Sequence, residues 1–306
     1  MPDGHRSLVL PCTRPSHLSP CGMMHGVPFP MENAMIDVPR IAAGLVLSTV
    51  IGAVAYRRQS LDLSGWLGAV VTGTLTFGFG GWTWGCVLIV FFVTSSALSH
   101  FRQAQKQRIA GEKFEKGGRR DLWQALANGG AGATLALVYG LAGEPTVLLA
   151  AYVGIMATVT ADTWATEIGV LSPHSPRLIT SGRVVPPGTS GGVTIYGFGA
   201  SAAGAFLIGA ATLGLMAVER EIWLPLLLPV ALAGGVGGSL LDSLLGATVQ
   251  AMYLSPTGET EKRASREGRV FPLVRGWRWM NNDMVNFLSS LAGGAVAAGM
   301  YAWIAG

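Results

Sequence analysis

Long apolar segments constrain this sequence more than any other feature. From Val38 onward, the 306-residue chain alternates apolar runs of about 17 to 28 residues with polar connections. A helix needs about 20 such residues to cross the roughly 30 Å hydrocarbon core of a bilayer. Only 12% of the residues are charged, against about 25% in soluble domains. We therefore predict an all-α, polytopic membrane helix bundle with spans at residues 38–56, 64–81, 83–100, 123–142, 146–163, 191–217, 223–249 and 283–304.

The first 37 residues differ from the rest. They are rich in Pro, His and Met and show no periodicity, so we expect a disordered leader without an assigned function. The alternative is that translation starts later, because Met31 or Met35 would serve equally well as an initiator. Residues 38–306 are expected to form a transmembrane catalytic domain.

The basic residues predict an orientation. Seventeen of the 21 Lys and Arg residues fall in the connections after the first, third, fifth and seventh spans. The positive-inside rule makes that side cytoplasmic and both termini external. The long cytoplasmic loops are then 101–122, 164–190 and 250–282.

Four carboxylates interrupt or flank the apolar runs near this same side: Asp162, Glu167, Asp242 and Asp283. An acid at the centre of a bilayer costs about 2.5 to 3.5 kcal/mol, so each needs a partner, water or a function. On a continuous helix Asp162 and Glu167 would point about 140° apart. They can share a site only if the helix unwinds between them or if they flank a cleft.

Structural explanations also exist for these polar residues. Asp242 could bond to Ser239 or Thr248, Glu167 could be solvated among headgroups, and Asp283 could favour a helix N-terminus electrostatically. Amides near the same edge could hold helices together or contact substrate; they are Asn128, Asn282 and Asn286.

The loop PPGTSGG predicts an anion pocket. Gly188, Thr189, Ser190 and Gly191 would open the sixth span with free N–H groups at the positive end of a helix. Arg177 and Arg183 lie upstream, suited to bidentate phosphate contacts, and Arg119 and Arg120 precede the fourth span. The alternative is a flexible loop with Thr189 or Ser190 as a plain N-cap.

Acids beside a phosphate cradle fit phosphoryl or nucleotidyl transfer. Mg²⁺ is commonly held by one or two carboxylates plus substrate phosphates, and Asp162, Asp242 and Asp283 are the expected metal ligands. No GK[ST] sequence of the Walker A type occurs. A phosphate acceptor is already anionic, so positioning and charge neutralisation would supply most of the catalysis.

Five segments carry a resemblance: KGGRRDLWQALANGG (116–130), ADTWATEIGVLSP (161–173), LIT…VPPGTSGGVTIYG (178–197), GSLLDSLLGATVQ (238–250) and NNDMVNFLSS (281–290). Together they resemble the integral-membrane family of human transmembrane protein nineteen and plant phytyl-phosphate kinase, over about residues 38–306. The resemblance implies CTP- or other NTP-dependent phosphorylation of an isoprenyl monophosphate. It also implies site roles for Asp162, Glu167, Asp242, Asp283, Gly188, Thr189 and Ser190.

The expected function is thus a membrane prenyl-phosphate kinase that uses Mg²⁺, a nucleoside triphosphate and a lipid phosphate, with no nucleic-acid partner. An ion- or proton-coupled transporter is the alternative and predicts acids distributed through the bilayer depth. A non-catalytic scaffold for lipid enzymes is a third possibility. We expect a bacterial inner-membrane protein with its active site facing the cytoplasm.

Overall fold

The computed structural model describes residues 37–111, 113, 118–219, 224–256, 258–264 and 268–306. Most of the predicted leader and parts of loops 101–122 and 250–282 lie outside these residues. The helices are α1 (Val38–Arg57), α2 (Leu63–Gly80), α3 (Trp82–His100), α4 (Gln103–Ala110), α5 (Leu122–Leu141), α6 (Thr146–Gly169), α7 (Ile195–Glu219), α8 (Leu227–Thr248) and α9 (Asn282–Ala305). The strands are β1 (Arg177–Leu178), β2 (Gly192–Val193), β3 (Met252–Ser255), β4 (Gly258–Thr260) and β5 (Leu273–Arg275).

The predicted all-α membrane bundle is confirmed. A long helix occupies each of the eight predicted spans, and six of the described helices are long and apolar enough to cross a membrane: α1, α3, α6, α7, α8 and α9. The other two, α2 and α5, have 18 and 20 residues and complete the bundle.

Several predicted boundaries are wrong. The fifth span was expected to end at residue 163, but α6 continues to Gly169. The sixth was expected to open at residue 191, but α7 begins at Ile195. The connections also contain the short helix α4 and two small antiparallel sheets, β1–β2 and β4–β3–β5, which hydrophobic periodicity did not reveal.

Helix α6 forms the centre of the bundle. Its residues from Leu149 to Ala161 are all buried, and α6 packs against α3, α5, α7, α8 and α9. Where α6, α8 and α9 cross, Gly154, Gly234 and Gly293 leave no space for a side chain, because a Cβ on Gly234 would lie 2.6 Å from the Gly293 carbonyl oxygen. Small residues allow this close approach of helices in lipid. The approach also holds α6 and α8 side by side along the part of each helix that precedes Asp162 and Asp242.

The connections after α1, α3, α6 and α8 meet at one end of the bundle. The Arg120 N–H donates to the Ser60 carbonyl (3.0 Å), the Lys113 ammonium donates to the Thr189 hydroxyl (2.9 Å), and Lys262 donates to the Gly111 carbonyl (3.0 Å). These bonds tie distant loops into one layer over the helix ends. The same connections carry most of the chain's basic residues.

Side-chain caps define where several helices start at this end. Asp62 caps α2 by accepting from the Gly65 N–H (2.7 Å), and Asp121 forms a capping box with Gln124 at α5. Asn281 caps α9 by accepting from the Met284 N–H (3.0 Å). Each cap satisfies a backbone donor that the first helical turn leaves open.

Candidate active site

A chamber of about 1630 Å³ opens at the end of the bundle where these connections meet. Its walls come from the last turns of α3, α6 and α8, the first turns of α5, α7 and α9, and the loops between them. Most of the residues predicted from the sequence line it: Asp162, Glu167, Asp242, Asp283, Arg120, Asn128, Arg177, Gly188, Thr189, Ser190, Gly191, Asn282 and Asn286. Their metal-binding, catalytic and substrate-binding roles remain predictions.

The central feature of the chamber is a pair of carboxylates. The carboxyl groups of Asp162 on α6 and Asp242 on α8 lie within hydrogen-bonding distance of each other. They lie seven and six residues before the ends of their helices, which places them about 10 Å inside the bundle. Two charged carboxylates in contact repel each other, so the pair requires either a shared proton or a bound cation.

Neighbouring donors hold Asp242 in place. The Ser289 hydroxyl on α9 donates to Asp242 Oδ2 (2.9 Å). In the amide orientation that satisfies both of its groups, Asn286 donates to the same oxygen (3.0 Å) and to the backbone carbonyl of Asn282 (3.3 Å). Asp242 therefore bonds to α6 and α9, whereas Thr248, one of the partners considered from sequence, bonds back to the Leu244 carbonyl (2.7 Å).

Glu167 lies on a different wall. Helix α6 runs without interruption past both acids, so the cleft arrangement holds and the unwinding alternative does not. Glu167 accepts from the Ser99 hydroxyl (2.6 Å) and forms an ion pair with Lys106, whose ammonium also donates to the carbonyls of Leu98 (2.6 Å) and Ser99 (3.0 Å). A mostly buried ion pair thus replaces the headgroup solvation considered from sequence, and it joins α4 to the ends of α3 and α6.

The PPGTSGG loop is built differently from the expected helix N-terminus. Gly188 and Gly191 have positive φ angles of 77° and 80°, and the loop enters β2 rather than a helix. Thr194 caps α7 instead, accepting from the Gly197 N–H (3.0 Å). The predicted anion pocket at this helix start is therefore not formed by residues 188–191, because a strand separates them from α7.

The loop instead packs against the end of α8. A Cβ on Gly191 would overlap Ala247, so only glycine permits this contact. The Ser190 hydroxyl donates to the Gln250 side-chain oxygen (2.7 Å), and the Gln250 amide donates to Glu261 (2.8 Å). This chain of bonds fixes one wall of the chamber to the loop after α8.

The four predicted arginines fall into two groups. Arg120 and Arg177 line the chamber, and Arg177 donates to the Gly182 carbonyl (2.9 Å). Arg119 contacts the Leu61 carbonyl (3.3 Å) and the ring of Tyr56 outside it, and Arg183 lies on an exposed turn. The structure therefore does not bring Arg119 or Arg183 to the site.

Burial changes the acidity of two cations here. Desolvation lowers the pKa of Arg120 to about 10, although the nearby Glu167 charge opposes this shift. Burial also lowers the pKa of Lys113, against the opposing field of Glu259. Arg120 lines the chamber, so its desolvated charge would attract an anionic ligand strongly there. The Lys113 ammonium reaches the chamber wall through its bond to the Thr189 hydroxyl.

The acidic side chains of the chamber offer a metal ion two carboxylates. Within the described ranges, no three His, Cys, Asp or Glu side chains group closely enough to hold a metal by themselves. Asp283 lines the chamber but does not complete the expected three-carboxylate set. The Asp162–Asp242 pair still fits Mg²⁺, which binds through one or two carboxylates with substrate phosphates supplying other oxygens.

Sequence reasoning missed several chamber residues. Lys106, Lys262, Arg263 and Gln250 line it, and Ser289 holds Asp242. The lysines and arginine were visible only as part of the cytoplasmic charge excess. Ser289 and Gln250 were present only as members of the segments 281–290 and 238–250, and no local signal singled out either residue.

A bundle of long apolar helices with an acidic and basic chamber at one end is an integral membrane protein with a site open at the membrane edge. The chain belongs to the family described as integral membrane protein DUF92, whose model matches residues 46–294. It is 34% identical to Protein PGR of Arabidopsis thaliana over 271 residues, covering 82% of this chain and 93% of that protein.

Two further relatives have lower identities. An uncharacterised membrane protein of Methanocaldococcus jannaschii is 28% identical, over 88% of this chain and 98% of its own. Protein VTE6, chloroplastic, of Arabidopsis thaliana is 26% identical, over 80% of this chain and 66% of its own. No solved structure matches significantly.

Proposed function

We propose that this chain is a membrane-embedded kinase that transfers a phosphoryl group from CTP or another nucleoside triphosphate to an isoprenyl monophosphate. The observation that supports this best is the Asp162–Asp242 carboxylate pair, which lies in a large chamber that also contains cationic side chains. The resemblance to plant phytyl-phosphate kinase and the similarity to Protein VTE6 favour a lipid phosphate as the acceptor.

In the proposed reaction, a phosphate oxygen of the acceptor attacks the γ-phosphorus of the nucleotide. A new P–O bond forms to the acceptor, and the bond between the γ-phosphorus and the β,γ-bridging oxygen breaks. The nucleoside diphosphate leaves with that electron pair, and the lipid product is a diphosphate. Because the attacking oxygen is already anionic, no strong general base is required.

Asp162 and Asp242 are the groups that would hold Mg²⁺. When bound, the ion neutralises negative charge on the transferring phosphates. Ser289 and Asn286 orient the Asp242 carboxylate through its Oδ2 atom.

The basic residues of the chamber would neutralise and orient the phosphates. Arg120 presents a planar guanidinium suited to two phosphate oxygens, and Lys262 and Arg263 contribute charge from the loop after α8. Lys106 is already neutralised by Glu167. We therefore assign that pair to positioning the α3 and α6 ends rather than to phosphate binding.

The transporter alternative receives less support. It requires acids at several depths, whereas the buried stretch of α6 from Leu149 to Ala161 contains no Asp, Glu, His, Lys or Arg. At the opposite end, Glu219 accepts from the Thr83 hydroxyl (3.0 Å). Among the described residues, most acids thus lie near one end of the bundle. This distribution suits a reaction at one membrane surface better than an ion or proton relay across the bilayer.

The kinase proposal is tested with purified protein in nanodiscs, Mg²⁺, γ-labelled CTP or ATP, and geranylgeranyl or phytyl monophosphate. We expect labelled prenyl diphosphate, and a fall of at least about 100-fold in the rate for Asp162→Asn and Asp242→Asn, in line with losses when transition-state electrostatics are removed. Asp62→Asn is the matched control, because asparagine caps helices as well as aspartate and Asp62 lies outside the chamber. No turnover with any combination of nucleotide and prenyl phosphate would refute the proposal.

We also propose that the chamber faces the cytoplasm of a bacterial inner membrane. In a variant without the native cysteines, Cys at Arg183 and Cys at Glu144 report on opposite ends of α6. An impermeant maleimide added to intact spheroplasts should label Glu144→Cys, and Arg183→Cys should react only after lysis. The reverse pattern would invert the topology.

A further inference from the structure

A second, apolar cavity touches the chamber. It is a narrow slot of about 90 Å³ between α1 and α2 on one side and α3 and α5 on the other. Its walls are formed mainly by aliphatic, aromatic and glycine residues such as Ile51, Phe77, Ile89 and Phe92. Helix α1 exposes Val46, Val50 and Val54 on its outer face, so the slot lies beside the lipid.

The slot and the chamber share three residues at their junction: Arg120, Gln124 and Asn128. Arg120 is the single charged residue in the slot wall. Its guanidinium makes one hydrogen bond among the described residues, to the Ser96 hydroxyl (2.8 Å), and lies over the rings of Phe91 and Phe92. A guanidinium has five N–H donors, so this single bond leaves most of its hydrogen-bonding capacity for a ligand.

We propose that this slot holds the head-proximal part of the isoprenoid tail of a lipid monophosphate, with the phosphate bound by Arg120 at the chamber's inner edge. The inference rests on the proposed function for the identity of the lipid, and it assigns the tail to the α1–α2–α3–α5 side. The remaining tail extends between α1 and the bilayer, because the slot is too small for a long chain.

Charge and polarity argue for this occupant. A lipid phosphate is apolar along its tail and doubly anionic at its head, which matches an apolar slot that ends at one desolvated cation. Gln124 and Asn128 follow at four-residue spacing on α5, so both amides lie on the face that carries the junction. A soluble phosphate would find the same head contacts but leave the slot wall unfilled.

The test uses the full chain in nanodiscs without nucleotide and a prenyl monophosphate that carries a diazirine on its first isoprenoid units. We expect cross-links on the slot segments 44–52, 69–77 or 85–92. Unlabelled geranylgeranyl monophosphate should compete with this labelling, and geranylgeraniol or inorganic phosphate should compete at least tenfold less well. Cross-links confined to the outer faces of α7 or α8 would overturn the proposal.

Two matched pairs of variants sharpen this test. Arg120→Gln should reduce labelling at least tenfold, whereas Arg57→Gln, which removes the same charge from an exposed last turn of α1, should not. Gly129→Leu extends a side chain toward Thr72 in the slot, whereas Gly214→Leu enters open space on α7; only the former should weaken labelling. Should Gly129→Leu not fold, the cross-link positions and Arg120→Gln decide.

The two proposals fail separately. Slot labelling that depends on Arg120 without any phosphoryl transfer would leave a lipid-phosphate site standing and refute the kinase. Turnover with cross-links elsewhere would retain the kinase and refute the slot.

Discussion

The Asp242→Asn substitution distinguishes two roles of this residue, a structural role in hydrogen bonding and a role as a metal ligand. In the wild-type protein Asp242 contacts Asp162 and accepts from Ser289 at 2.9 Å. An asparagine amide can donate to Asp162 while its oxygen accepts from Ser289, so the hydrogen-bond geometry is preserved. The substitution removes one negative charge and the need for a shared proton or cation.

The expected magnitude follows from Coulomb's law. Two unit charges about 4 Å apart repel by about 1 kcal/mol in water and by about 4 kcal/mol at an effective dielectric constant of 20. The pair lies on the wall of an open chamber, between these environments. At a pH high enough to remove the shared proton, we therefore expect the metal-free Asp242→Asn protein to be more stable than wild type by about 1 to 4 kcal/mol, or several degrees in Tm.

Mg²⁺ should narrow this gap. A ligand at 100 times its Kd stabilises a folded protein by about 2.7 kcal/mol, so wild type should gain stability with Mg²⁺ while Asp242→Asn should not respond. The assay is thermal unfolding in nanodiscs with EDTA and over a Mg²⁺ titration. An Asp242→Asn protein that is less stable than wild type in EDTA, or that retains the full Mg²⁺ response, would refute this reasoning.

Three further predictions concern the scaffold around the chamber. Glu167→Gln should lower the free energy of unfolding by about 2 to 4 kcal/mol, because it leaves the Lys106 ammonium largely buried without its counter-charge. In denaturant unfolding, adding Lys106→Met should recover part of this loss, and additive effects of the two substitutions would contradict direct coupling. Gly276→Ala should lower the free energy of unfolding by about 3 kcal/mol or more, because φ is 77° and a Cβ would overlap the Gln250 carbonyl. Gly182→Ala, with φ 67° and open space around it, should lower it by only about 1 to 2 kcal/mol through left-handed strain. Equal shifts in Tm for the two variants would count against the steric explanation. Bonds from the Gly65 N–H and the Ser64 hydroxyl lower the pKa of Asp62 from 3.8. The contribution of Asp62 to stability is therefore present above the unfolded-state pKa and is lost as pH falls through the folded-state pKa. Wild type should exceed Asp62→Ala in stability by about 1 kcal/mol at neutral pH, this difference should close below pH 4, and a constant difference would exclude the ionised cap.

Local patterns in the sequence were enough to predict the bundle and its acidic edge. Apolar length placed eight long helices, and unpaired acids in apolar surroundings marked Asp162 and Asp242 as residues that need partners. The loop at 188–191 was misassigned to a helix N-terminus because Gly and Thr residues begin strands and helices alike. Whether Arg119 or Arg120 turned into the chamber was equally invisible, since neighbouring residues in an irregular segment carry no periodic signal.

Apolar length along the chain established a membrane protein with eight long helices, although not all of their ends, and it marked the acids that need partners in an apolar environment. The contact of Asp162 with Asp242, the neutralisation of Glu167 by Lys106 and the apolar slot that meets the chamber at Arg120 became visible in the folded chain. Hydrophobic length is a property of single segments and is readable along the chain. Pairings between side chains depend on how helices cross, and at the glycine crossing of α6, α8 and α9 that geometry is set by contacts between residues far apart in sequence.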